Sequence, residues 1–368
     1  MREKYPFYLK ATVIIFGLVL FFFVLFVLRS VLMPLSFGLM LAILLNPFVN
    51  FLVKHNWSKT AAITLAILIS LAGLASLIYF LSVQMGSFSN QLPAFQEKFT
   101  ELLQQLQQNI SNQFNIDVPK QNEWLSDAES SMKPLVGQTI GVAATVLEVL
   151  FLIPFYAFLF LYFKTLLLNF LYELFAEENS KEVATVLTQT KGAIQQYMFG
   201  LLIETTIVAT LNSAALLALG MKYAILLGLI GALLNILPFI GGIVAVLLPL
   251  LIATVTKSGF STQVAIIICY LVIQFIDNHF LVPYIVSSKV KINALISIVV
   301  VLMGGLLWGI AGMFLSIPFV GILKIVFDRV PELKPWGRLL GDDVPTRHKG
   351  EIWTLRSSRR KRSQSKPS

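Results

Sequence analysis

The sequence predicts an all-α, polytopic integral membrane protein, and three observations carry that prediction. The chain is 57% hydrophobic with only 13% charged residues, whereas soluble domains carry about 25% charge. Its mean hydropathy is +0.79. Its apolar residues gather into runs of membrane-crossing length separated by short polar joints, so 368 residues give about eight membrane segments plus one polar insertion.

Residues 11–28 make the first segment, after MREKYPFYLK. The run is long, no A-x-A cleavage pattern follows it, and Arg29 leads into further apolar sequence, so it is expected to be an uncleaved helix rather than a signal peptide. A second segment covers 31–53 and a third 60–83, joined by KHNWSK, and together 1–83 form an N-terminal membrane region. Residues 84–135 are polar, with six acids against three lysines. Phe95, Phe99, Leu102, Leu103, Leu106 and Ile110 recur there at helical spacing behind Pro93, which predicts an extracytoplasmic amphipathic helix, with a substrate-capturing domain as the alternative. A membrane transport core follows over 136–327, beginning with segments at 137–163 and 197–220. Between these two, Asn179 and Glu182 have capping-box spacing ahead of a stripe of Val183, Val186, Leu187, Ile194 and Tyr197, so one long helix should run on into the second of them.

Two apolar stretches, 223–256 and 293–327, have the wrong length for a simple span. Each is about 50 Å as straight helix, against a hydrocarbon core of about 30 Å. Both carry breakers near the middle: NILPFIGG at 235–242, with Pro238, Gly241 and Gly242, and GGLLWGIAG at 304–312, with Gly309 and Gly312. Paired interrupted segments point to broken helices or re-entrant hairpins beside a transport site, because irregular backbone at depth must face protein or water. Gly228 lies in the first stretch away from its break and is expected to accept Leu better than Gly241 does. The basic tail, 328–368, holds eleven Lys/Arg and five acids, so it is expected in the cytoplasm together with the N-terminus. Lys289 and Lys291 then favour hairpins, which would keep them on the cytoplasmic side.

The polar residues at depth are the candidate site. In QVAIIICYLVIQFIDNHFLVP, residues 263–283, Gln274, Asp277 and Asn278 are spaced i, i+3 and i+4 and share a helix face, ahead of Pro283 at the helix end. A charged acid at membrane depth costs on the order of 3 kcal/mol, which makes Asp277 a candidate ion, proton or solute ligand. The alternative for the same face is interhelical hydrogen bonding. Glu204 and Glu148 are further intramembrane acids, whereas His279, close to a helix end, is read as a packing residue.

Other chemistries lack their motifs. There is no G-x-x-x-x-G-K-[ST] loop, no H-E-x-x-H sequence, and Cys269 stands alone, so neither ATP-driven transport, a zinc peptidase nor a disulfide is expected. No cofactor, metal or enzymatic activity is anticipated. The RSSRRKRSQSK run suits a lipid-facing tail better than nucleic acid.

Residues 219–324 resemble the autoinducer-2 exporter family of bacterial membrane proteins, the PerM-type permeases. The family's Pro-aromatic-Ile-Gly element falls on Pro238, Phe239, Ile240 and Gly241, with Gly242 where many members have Pro. Its Asp-Asn pair falls on Asp277 and Asn278, its following Pro on Pro283, and its Gly-x-x-Gly and Pro on Gly309, Gly312 and Pro318. Ser288 stands where members often carry Gly. The resemblance implies a secondary transporter of the bacterial inner membrane with both termini cytoplasmic, exporting a small polar solute such as the autoinducer-2 signal of quorum sensing. Some members of the family look like sodium/proton exchangers. The expected partners are the lipid bilayer, the solute, H+ or Na+, and further copies of the chain. A non-transporting membrane scaffold or regulator is the contrasting expectation.

Overall fold

In a bilayer every backbone N–H and C=O must be satisfied within the chain, which leaves helices as the solution for apolar runs of this kind. The computed structural model describes residues 6–89, 139–175, 180–237, 241–257, 259–286 and 292–342, with scattered helical positions between 97 and 122. The apolar positions of the polar insertion, the Asn179 cap, Pro238 and its two followers, Lys289, Lys291 and the basic run of the tail lie outside the described residues.

The helices, in chain order, are α1 (Phe7–Val27), α2 (Arg29–Lys54), α3 (Lys59–Ser89), α4 (Thr139–Tyr162), α5 (Lys164–Leu174), α6 (Ser180–Ala218), α7 (Ala224–Asn235), α8 (Gly241–Thr256), α9 (Ser261–Ile276), α10 (Ala294–Arg329) and α11 (Lys334–Leu340). A π-helical run, Asp277–Val286, continues α9. Among the described residues, five helices are long and apolar enough to cross a membrane, or six if the α4–α5 pair, bent by 65°, is counted as one. Three shorter apolar helices accompany them. Helix α6 is the continuous amphipathic-to-apolar helix that the stripe at 183–197 predicts.

Helices α2, α3 and α4 form one packed group. Ala42, Val49 and Leu52 meet Ala62, Ile63, Ala66 and Ile67 of α3 and Ala157 and Leu161 of α4. Small residues set the spacing, as at Gly38, where a β-carbon would strike Tyr156 and crowd the backbone of α4. Helix α1 is exposed along most of its length, as expected of a lipid-facing helix, and Trp308 of α10 donates its indole N–H to Leu25 O at 3.0 Å.

Both overlong stretches fold back on themselves. Helices α7 and α8 have 12 and 16 residues, about 18 and 24 Å at 1.5 Å per residue, and so fall short of a bilayer core. They run antiparallel: Ala224 and Leu227 share a core with Ile252 and Ala253, and a β-carbon on Gly231 would lie 3.5 Å from Ala245 Cβ. Helix α10 turns at Trp308 and Gly309, the latter at φ 62°, a conformation glycine adopts without strain. A straight helix would hold Gly304 and Gly312 about 12 Å apart, yet β-carbons on either would collide with the other's backbone, and Gly305 faces Met313. The start of this hairpin is tied to the end of α11, which follows its second arm, with Asn293 N–H donating to Leu340 O at 2.9 Å and Ile292 bridging to Gly341. One hairpin opens at the start of α9 and the other just beyond its π-helical end, so the two open at opposite ends of that helix.

Two expectations need correction. Pro283 does not end its helix but lies inside the π-helical run, which reaches Val286. Proline supplies no N–H for the regular ladder, and the wider turn is one way a helix continues past such a gap. Gly228 is not an indifferent position, because a β-carbon there would strike the backbone of Ser213 on α6.

Candidate functional site

The tip of the first hairpin carries the centre of the site. Helix α7 ends at Asn235, and the chain leaves helical geometry before α8 begins at Gly241. The break places the Asn235 side chain between α6 and α9. Its Nδ2 donates to Asp277 Oδ2 at 2.9 Å and, more weakly, to Glu204 Oε1 at 3.4 Å. Two acids from two helices therefore share one amide. Glu204 is 5% exposed and Asp277 2%.

The i, i+3, i+4 face of α9 supplies the next contacts. Gln274 Nε2 lies 3.4 Å from Asp277 Oδ2 and 3.5 Å from Asn278 Oδ1. Gln274 also bears on the hairpin, since a β-carbon added to Gly242 would meet its Oε1. Glycine at 242 lets α8 approach α9 at this level. Gly241, one residue earlier, is packed so closely on Leu234 and Asn235 that any β-carbon would collide with their backbone.

These groups line a cavity of about 650 Å³, with Tyr197, Leu201, Tyr270 and Ile317 among its other walls. Asn278 edges it, while Asp277 and Glu204 lie at its buried polar end. No Lys, Arg or His lines it among the described residues. An apolar cavity of about 680 Å³ shares Leu201 and Ile236 with it but holds no charged residue; its Thr206 and Thr210 hydroxyls donate to carbonyls of their own helix.

Of the residues selected from sequence, the structure gathers Glu204, Gln274, Asp277, Asn278 and Gly242 around one cavity, with Gly241 in the turn behind it. Pro283, Gly309 and Gly312 are not among its lining residues: Gly309 and Gly312 build the turn and the close pairing of the second hairpin. Glu148 is on α4, in the segment whose side chains are outside the described set, as is Pro238. His279 stacks on Phe275 at 4.2 Å between centroids and donates from Nδ1 to its carbonyl at 3.0 Å. Sequence reasoning missed Asn235, Tyr197 and Tyr270 as site residues. Asn235 did leave a signal, as a polar residue in an apolar run three positions before the breaker Pro238.

Comparison with known proteins agrees with this architecture. The model of the AI-2E family transporter matches residues 14–332. The transport protein YrrI of Bacillus subtilis (strain 168) is 22% identical over 307 residues, covering 82% of this chain and 86% of its own. The AI-2 transport protein TqsA of Escherichia coli (strain K12) is 22% identical over 317 residues, 85% of this chain and 90% of its own. The permease PerM of the same organism is 38% identical over 63 residues, 17% of this chain and 18% of its own. With the match running through nearly all the described helices, the chain is a multi-pass membrane protein that belongs to the AI-2E transporter family.

Proposed function

We propose that this transporter exports a small polar solute in exchange for protons held by Glu204 and Asp277. The observation that carries the proposal is the sharing of the Asn235 amide by two buried carboxyls, from α6 and α9, at the broken tip of a hairpin. Two carboxylates this close repel, which disfavours charging both at once. Gaining or losing a proton changes the charge beside Asn235, and with it the hold on the hairpin tip. Rocking of such interrupted elements around a site at mid-membrane is how alternating access is achieved in other transporters. The titratable groups facing the pair are Tyr197 of α6 and Tyr270 of α9, and no basic side chain lines the cavity among the described residues.

The cavity suits a solute with hydroxyl groups, which Gln274 and Asn278 can hydrogen-bond beside an apolar wall. Autoinducer-2, the solute named for TqsA, is the first to test. Both termini are placed in the cytoplasm, the basic tail against the inner leaflet.

Vesicles carrying the reconstituted protein and loaded with autoinducer-2 test this. Efflux should accelerate when the opposite compartment is acidified, and Asp277→Asn or Glu204→Gln should remove that response. Wild-type rates in both variants at every pH, with normal insertion, would leave the carboxyls only a structural part.

A further inference from the structure

At the end of the helix group where α2 stops and α3 starts, lysines from three helices gather around the joint between α4 and α5. Lys59 of α3 donates from Nζ to the Tyr162 carbonyl at 2.7 Å and lies 5.5 Å from the centre of the Tyr162 ring. Lys164, the first residue of α5, donates from Nζ to Asn46 Oδ1 of α2 at 2.9 Å. Lys191 of α6 stands close enough to repel the Lys164 charge, as does Lys59. None of the three pairs with an acid among the described residues. Asn46 is 5% exposed, and because its Oδ1 is held by an ammonium, its Nδ2 is left buried with no partner. The groups left to offer here are therefore all donors.

We propose that Lys59, Lys164 and Lys191 bind the phosphate of an anionic phospholipid whose acyl chains lie against α5. Charge complementarity is the first reason. Like charges held together without an acid repel, and a phosphate among them relieves that repulsion. Each ammonium has three N–H groups. One on Lys59 and one on Lys164 are used to fix the side chain, which leaves both lysines positioned and still able to donate. The neighbourhood is the second reason. Helix α5 bends 65° away from α4 and buries none of its residues. Leu166, Phe170 and Leu174 follow one another at i, i+4 and i+8 and are 63%, 57% and 61% exposed, an uncovered apolar stripe. A helix that turns aside with such a stripe lies along the bilayer interface. Exposed Trp57 and Tyr162 mark the same level, since amphipathic rings gather where headgroups meet hydrocarbon. A soluble anion would use the lysines alone, whereas a phospholipid uses both the lysines and the stripe.

The site is independent of the carboxyl pair, and its test needs neither solute nor gradient. Thermal unfolding of the purified full-length protein in detergent is followed as phosphatidylglycerol is added to the micelles. Phosphatidylcholine with the same acyl chains, and inorganic phosphate at constant ionic strength, are the comparisons. Saturable stabilisation by phosphatidylglycerol alone is expected. Lys164→Gln, which keeps a donor for Asn46, and Lys191→Gln should each raise the half-saturating lipid fraction about fivefold, the scale of one lysine's attraction to an anionic surface. Removing three charges from the tail, by Arg359→Gln, Arg360→Gln and Lys361→Gln together, should leave it unchanged. Unfolding without lipid shows that each variant is folded. Equal stabilisation by phosphatidylcholine would reduce the site to an acyl-chain groove, and equal stabilisation by inorganic phosphate would make it a soluble-anion site; either overturns the proposal. An unshifted half-saturation in both lysine variants, or an equal shift in the tail variant, would place the lipid elsewhere. No stabilisation by phosphatidylglycerol would leave the stripe on α5 to a second copy of the chain and overturn the proposal as well.

Discussion

Replacing Asn235 with alanine removes the one side chain that ties the hairpin tip to both acids. The direct loss is a 2.9 Å amide–carboxylate hydrogen bond to Asp277 and a 3.4 Å contact to Glu204. A hydrogen bond to a charged group contributes about 1.5–3 kcal/mol, and the longer contact adds little. At 1.4 kcal/mol per factor of ten, the tip's preference for its site falls by about ten- to a hundredfold. The assay is initial efflux per inserted protein from reconstituted vesicles, run as a double-mutant cycle. Asn235→Ala alone should reduce efflux by that order. In an Asp277→Asn, Glu204→Gln background the same change should cost far less, because the charged partners are already gone. Wild-type efflux in Asn235→Ala would refute the role of the tip. An equal loss in both backgrounds would show that Asn235 supports the fold of the turn rather than the acids.

Topology is tested by single cysteines introduced after Cys269 is replaced: positions 222 and 257 should label from one side of the membrane, and 293 and 329 from the other. Labelling of 222 and 257 from opposite sides would establish a full span where a hairpin is described. Gly241→Leu should reduce efflux strongly at normal insertion, because overpacking costs about 1–3 kcal/mol and Gly241 is pressed on the backbone of Leu234 and Asn235. The proper comparison is Gly73→Leu, where an added β-carbon would meet nothing within 4 Å, and equal tolerance at the two sites would remove the turn from the mechanism. Gly304→Val should destabilise the second hairpin, read as a lower unfolding temperature, since it would press on Gly312 and Ser316; an unchanged temperature would contradict the close pairing of its arms.

Composition and run length alone determined the membrane class, the helical architecture and the approximate place of each long helix, because a bilayer permits few ways to satisfy a backbone and the apolar runs must match its thickness. Periodicity joined Gln274, Asp277 and Asn278 on one face, and the breakers at 235–242 and 304–312 marked where helices stop. Run length could not say whether a broken stretch crosses or turns back; that depends on antiparallel glycine contacts such as Gly304 with Gly312, which only the folded chain brings together. Nor could spacing bring Glu204 to Asp277, 73 positions along the chain. Their meeting requires α6 and α9 to pack around the end of α7, with Asn235 as the shared donor. Asn212 and Tyr270 read in sequence as isolated polar residues in apolar helices. Tertiary packing made them neighbours of Asp277 by leaving Gly231 without a side chain between them.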